Sequence, residues 1–382
     1  MEQHFIALDF GSGQISATLS VYDTATGTFR VRHALRETCP SVNGCYILDF
    51  DKSVQAVGRI FSQLQEYADF SPIICVGLRG DFLSFSRSGA GKFFDAGRIV
   101  LTQKDVQEVV NMSVSESASE TLEVIHLFPQ TFNIDGCNQV QNPVGLEASS
   151  LDIGTFITYA LRTHLNNLNR VLSAAGCEDF EATPTIIALS SALLKQEEKK
   201  VGVLLVDVGA NNSAAALYHK GILHAAWEFS FGAEIVVQEV ADVLQNDLSE
   251  AKQILKDYTY GEDEIMDDLL DEAGAKFLQT LRKQLLQEPL YANHFPATAV
   301  FTGGGAGLHL KNTAQRVLGV RRSRIATFEH LIADGDEMLA PAYTSALAVS
   351  IYTQQHGGKK LKSVKDKANG LLGRMLAKLG MN

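Results

Sequence analysis

A chain of 382 residues, 46% hydrophobic and 20% charged, is long enough for two core-bearing domains and has the balance of an ordinary globular protein. Its net charge of −11 argues against nucleic acid as a partner. No apolar run approaches the roughly 18 residues that a bilayer span needs, and the N-terminus has neither a basic start nor an apolar signal core, so a cytoplasmic protein is expected.

In chain order, residues 1–82 read as strand-rich, with a helix near Ser53–Tyr67 and a strand at Ile73–Gly77. Residues 83–162 carry a helix near Lys104–Ser113 and strands at Glu123–Phe128, Thr131–Asp135 and Thr155–Leu161. A helix near Thr163–Ala175 and a strand at Thr185–Leu189 follow. The second half runs from about Lys200 to Glu337, helical from Glu234 to Gln287, and Pro341–Tyr352 reads as a closing helix. The alternation of strands and helices predicts an α/β protein. Cys39, Cys45, Cys75, Cys137 and Cys177 are odd in number and lack metal-ligand spacing, which fits reduced, mostly buried thiols.

Two segments repeat one pattern. Phe5-Ile6-Ala7-Leu8 leads to Asp9, turns through Gly11, Ser12, Gly13 and Gln14, and returns as Ile15–Val21. Val203–Val206 leads to Asp207, turns through Gly209, Ala210, Asn211 and Asn212, and returns as Ala214–Tyr218. A tight turn of small residues aims several backbone N–H groups at one point, which suits a phosphate oxygen, and the carboxylate one step earlier can hold a hydrated Mg²⁺. Either turn alone is a common structural hairpin. Together, and followed by the apolar run Ala299–Thr302 that ends in Gly303-Gly304-Gly305, they predict a nucleotide clamp with Asp9 and Asp207 on the metal. The bare backbone of Gly303–Gly305 would admit a flat ring.

The tail is distinctive. Wound at 3.6 residues per turn, Leu371, Leu372, Met375, Leu376 and Leu379 fall on one stripe with Arg374 and Lys378 opposite. Gly357-Gly358 and a lysine-rich stretch precede it as a linker. A helix docked on the body is one reading. The last 28 residues carry seven Lys or Arg and one Asp on an acidic protein, and this favours an anionic membrane surface.

Further residues narrow the match. Val124–Asp135, containing Pro129-Gln130, and Asn142-Pro143-Val144-Gly145 resemble the signature of FtsA, the bacterial actin homologue of cell division, where it lies in an inserted subdomain called 1C. Thr102–Val110, Ile187–Ala192 and Ala342–Ala348 resemble other FtsA segments. The resemblance implies an actin-like two-domain ATPase fold of duplicated ribonuclease H-like halves. On it, the first domain is 1–82 with 163–199 and 338–354, subdomain 1C is 83–162, the second domain is 200–337, a linker is 355–368 and a membrane helix is 369–382. It further implies ATP and Mg²⁺ in the cleft, self-assembly into protofilaments, and attachment of the tubulin-like FtsZ ring and other division proteins to the inner membrane face at the division site.

By the same resemblance, Phe231-Gly232-Ala233-Glu234 is a turn where a helix N-terminus faces the nucleotide, and Ser249–Lys252 opens a helix bordering ribose and adenine, with Lys252 where the family has glutamate. Other departures weaken phosphate neutralisation: Gln14 replaces a lysine, Ala210 and Asn211 replace glycines, Asn212 a threonine and Ala214 an aspartate. Hydrolysis is therefore expected to be slow or absent. Ala210 also suits PilM, an actin-like scaffold of pilus assembly. A sugar kinase of the same superfamily would need a catalytic aspartate in a substrate loop, and no such motif is found.

Overall fold

The computed structural model describes residues 2–67, 71–95, 97–115, 120–177, 179–293, 296–308, 310–329 and 331–357. The expected linker and membrane helix lie outside them, save for the first residues of the linker.

Two sheets carry the architecture, and their central five strands are wired identically. In the first, Thr28–Asn43 and Glu2–Phe10 flank Ser12–Asp23 in antiparallel fashion, and Ile73–Leu78 and Glu181–Pro184 extend the far side of Glu2–Phe10 in parallel. In the second, Ile222–Phe229, Ser213–His219, Val203–Val208, Thr298–Thr302 and Arg322–Ile325 repeat that order and those directions. The half-to-half duplication read from two hairpins thus extends to whole sheets. Both central strands read as unbroken apolar runs because helices cover both faces.

Four apolar cores follow from these layers. One lies under the helices Phe50–Gln65 and Arg162–Ala174, and another under Glu234–Leu244, Glu264–Leu285 and Leu310–Leu318. The third joins the halves: Phe5 and Ala7 of one sheet meet Leu205 and Ala216 of the other around Ile186–Leu189 and Ala346–Val349. The fourth belongs to a separate sheet in which Leu83–Phe93, Ser150–Leu161, Leu122–Ile134 and Cys137–Val140 lie side by side, with Gln103–Ser115 packed on it.

Several expectations change in detail. The segment Thr185–Leu189 is not a strand but the start of the helix Thr185–Leu193; the strand is the preceding Glu181–Pro184. Seven of that helix's nine residues are buried between the halves, so it has no polar face to reveal a helical period, and its β-branched Ile186-Ile187 mimics a strand. The strands placed on either side of Pro129-Gln130 are one strand, Leu122–Ile134, because Pro129 stands opposite Thr155 at a bulge, where no ladder bond is needed from its nitrogen. Leu83–Phe93 escapes notice since its serines and glycines give no apolar alternation. The closing helix runs Thr344–His356 after a short 3-10 turn. Cys137 is exposed while the other four cysteines are buried.

Candidate functional site

Asp9 and Asp207 occupy the same place in the two halves, the next-to-last position of a central parallel strand. Ligands in open α/β sheets gather at those carboxyl ends. Here a cavity of about 490 Å³ opens between the halves, within the range of small-molecule sites. The described lining includes Asp9, Gly11, Ser12 and Gln14 from the first hairpin and Asp207, Gly209, Ala210 and Asn212 from the second. Gly303, Gly304, Gly305 and Lys252 line it too.

Each hairpin is closed by its own backbone. Gly11 N–H donates to Gln14 O at 2.8 Å, and Gly209 N–H to Asn212 O at 3.0 Å. Gly13 turns the first hairpin at φ 73°, in the left-handed region that favours glycine. The two hairpins also touch, since Asn212 Nδ2 donates to Ser12 Oγ at 3.3 Å and to Asn43 Oδ1 at 2.7 Å. The residue that replaces a family threonine therefore ties the halves together.

Four expected site residues do not line the cavity: Gly13, Asn211, Gly232 and Glu234. Gly232 is glycine for packing, as a Cβ there would stand 2.4 Å from both Gly209 O and Ala210 O. Ala233 and Glu234 donate their N–H groups to those two carbonyls at 2.8 and 3.0 Å, so the first amides of the helix Glu234–Leu244 serve the second hairpin rather than a ligand. The Glu234 carboxylate pairs with Lys252 at 3.0 Å. The three glycines after Thr298–Thr302 also differ in role. A Cβ on Gly303 would meet Asp207 Oδ1 at 2.4 Å and one on Gly305 would meet Val208 Cγ1 at 2.6 Å, whereas nothing lies within 4 Å of one on Gly304. Of these three, Gly304 alone offers open backbone to the cavity.

Two arginines that the sequence reading passed over complete the lining. Arg36, on the strand Thr28–Asn43 opposite Ser16, hydrogen-bonds the side-chain oxygen of Gln14. It brings a guanidinium to Gln14, the position where the resemblance implies a lysine. Arg79 follows directly on the central strand Ile73–Leu78 and lies between the two aspartates. Its Nη2 donates to Asp207 Oδ2 at 2.9 Å and to Ser345 Oγ at 2.7 Å, and its Nε pairs with Asp9 Oδ1 at 3.1 Å without hydrogen-bond alignment. Position just past a central strand was the one signal that could have singled it out.

Burial pushes the Asp9 carboxyl up to about 6, opposed by the Arg79 charge and reinforced by Asp207. Burial works against the Arg79 charge, but Asp9, Asp207 and Glu228 outweigh it and hold the guanidinium above its ordinary range. Glu228 is pushed up to about 8 by burial; its Oε2 accepts from Gly80 N–H at 3.0 Å while its Oε1 is enclosed without a partner. The expected Mg²⁺ does not fit this arrangement. The carboxylate pair is already bridged by the Arg79 guanidinium, so a dication would have to displace that side chain or share its two carboxylates.

Comparison with known proteins agrees with this architecture. Residues 88–158 match the family described as the SHS2 domain inserted in FtsA. Cell division protein FtsA of Enterococcus hirae is 23% identical over 341 residues, spanning 83% of this chain and 76% of that one. FtsA of Escherichia coli K12 is 23% identical over 354 residues, spanning 83% of each. Among solved structures, the PilM–PilN type IV pilus biogenesis complex superposes with a TM-score of 0.66 at 15% identity, over 91% of this chain and 97% of that one. AMPPNP-bound MreB5 of Spiroplasma citri superposes with a TM-score of 0.53 at 11% identity, over 96% and 99%. The chain is similar to the FtsA cell-division proteins, with the SHS2 domain inserted in FtsA matched at residues 88–158, and is built on the actin-like ATPase fold.

Proposed function

We propose that this protein is an actin-like division protein that binds ATP in its cleft, stacks into protofilaments and ties a tubulin-like FtsZ ring to the inner face of the membrane through residues 369–382. The observation that carries the nucleotide reading is the meeting of the two hairpins, Asn212 on Ser12, over one cavity that the backbone of Gly304 also reaches. A ligand with a chain of phosphates and a flat ring suits such a lining. The relatives named as FtsA support the division role. Actin-like units stack head to tail, a contact that leaves open filaments rather than closed rings. No catalytic base is assigned, and nucleotide acts chiefly as a bridge between the halves, with slow turnover.

Calorimetry tests the reading. Micromolar affinity for ATP is expected, about −8 kcal/mol. The absence of binding in a protein shown to be folded would refute it. A second reading, a PilM-like scaffold of pilus assembly, is favoured by Ala210 in the second hairpin and by the likeness to the PilM–PilN complex. Co-sedimentation with FtsZ filaments separates the two, since only a division protein should pellet with them.

A further inference from the structure

We propose that Arg79 takes the place of the divalent cation, so that the guanidinium fixed between the two hairpin aspartates binds nucleotide phosphates without a metal ion. The proposal rests on the cleft's reading as a nucleotide site. A phosphate-binding cleft needs positive charge beside its backbone donors, and in this chain the pair of carboxylates that could recruit a metal is instead bridged by a guanidinium.

Arg79 is held rather than loosely placed. Its partners come from three separate elements: Asp9 from the first central strand, Asp207 from the second, and Ser345 from the closing helix. The two residues that follow also cross to the second half. Gly80 N–H reaches Glu228, and Asp81 accepts from Ser230 while holding Tyr46 of the first half. A guanidinium held on three sides, at the start of a loop that is itself clasped, cannot swing away to admit a metal without giving up its contacts with Asp9, Asp207 and Ser345.

Arg79 nevertheless keeps a face toward the ligand. Its side chain is 11% exposed and lines the cavity. Among the described residues Nη1 has no hydrogen-bond partner, and it lies 4.0 Å from where a Cβ on Gly209 would stand, beside the second hairpin. Guanidinium matches phosphate oxygens in geometry and stays charged at every working pH.

Titration of the full-length protein with ATP, in EDTA and in excess Mg²⁺, tests the proposal. Affinities within about threefold of each other are expected, and a loss of about tenfold or more in EDTA that Mg²⁺ restores would overturn the inference while leaving the cleft a nucleotide site. If the wild type binds ATP in neither buffer, both the inference and the nucleotide reading fall. Arg79→Ala frees the carboxylates and should make ATP binding metal-dependent. Because that variant can unfold, Mn²⁺ binding to the nucleotide-free wild type, read by electron paramagnetic resonance, gives an independent arm. No tightly held Mn²⁺ is expected, and a stoichiometric site abolished by Asp207→Asn would overturn the inference.

Discussion

Lys199 shows what a single side chain costs when it is enclosed. It lies in the helix Gln196–Val201 with its ammonium over the Tyr218 ring, 5.1 Å from the centroid, and burial pulls it down to about 8. Between that value and the ordinary 10.5, the unfolded chain holds a proton that the folded chain has released, so stability rises with pH across the window and the charged form is a burden below it. Lys199→Met is expected to stabilise the protein at neutral pH by on the order of 1 kcal/mol and to flatten the rise, as read by urea unfolding at several pH values. A wild-type stability that is level from about pH 8 to 10 would contradict the argument. Arg36 makes a second residue-scale claim. It is exposed on its strand and bonded to Gln14 at the cavity. Arg36→Ala should weaken ATP by about tenfold, roughly 1.4 kcal/mol, with an unchanged unfolding midpoint. Unchanged affinity would show that Arg36 does not replace the missing lysine.

At the scale of elements, one side-chain amide of the inserted sheet pairs with the backbone of the second half. Gln130 donates to Leu223 O at 2.9 Å and accepts from Leu223 N–H at 2.7 Å, extending the edge strand Ile222–Phe229 as a further backbone residue would. Gln130→Ala leaves both Leu223 groups without these partners. A loss of about 1–2 kcal/mol and faster hydrogen exchange at Leu223 are expected. Exchange that stays as slow as in the wild type would mean the insertion is held elsewhere. The helix Leu248–Asp257, which carries Lys252 to the cavity, depends on Asp247 at its start, whose carboxylate accepts from Ser249 and Glu250 N–H at 2.8 and 2.9 Å while Glu250 reaches back. Asp247→Ala should cost about 1 kcal/mol, measured by thermal unfolding.

For the whole molecule, the magnitudes would make the proposed membrane attachment a collective property. The proposed helix of about ten residues with five apolar side chains would bind a bilayer only weakly, comparable to one myristoyl chain at roughly 10⁴ M⁻¹. Filaments that present many tails to one surface can raise apparent affinity by about 10²–10⁴. Leu376→Glu, or deletion after Gly358, is expected to abolish pelleting with anionic vesicles while ATP binding persists. If the truncated protein pellets as the intact one does, the tail is a docked helix and not an anchor.

The sequence by itself determined what local pattern controls. Two apolar runs ending in Asp9 and Asp207 before small-residue turns announced two equivalent hairpins, because a buried central strand and a tight turn each leave a short-range signature. The insertion was legible through Pro129-Gln130 and Asn142-Pro143-Val144-Gly145, which its matched span of 88–158 contains. Tertiary structure alone decided the rest. A helix buried on all sides, Thr185–Leu193, has no polar face to betray its period. Gly303 and Gly305 are fixed by contact with Asp207 and Val208, about a hundred residues away in sequence. The charge at the centre of the cleft comes from Arg79, which no motif marks, since its meaning lies in two aspartates 70 and 128 positions distant, Asp9 brought within 3.1 Å by strand pairing inside the first half and Asp207 within 2.9 Å by the meeting of the halves.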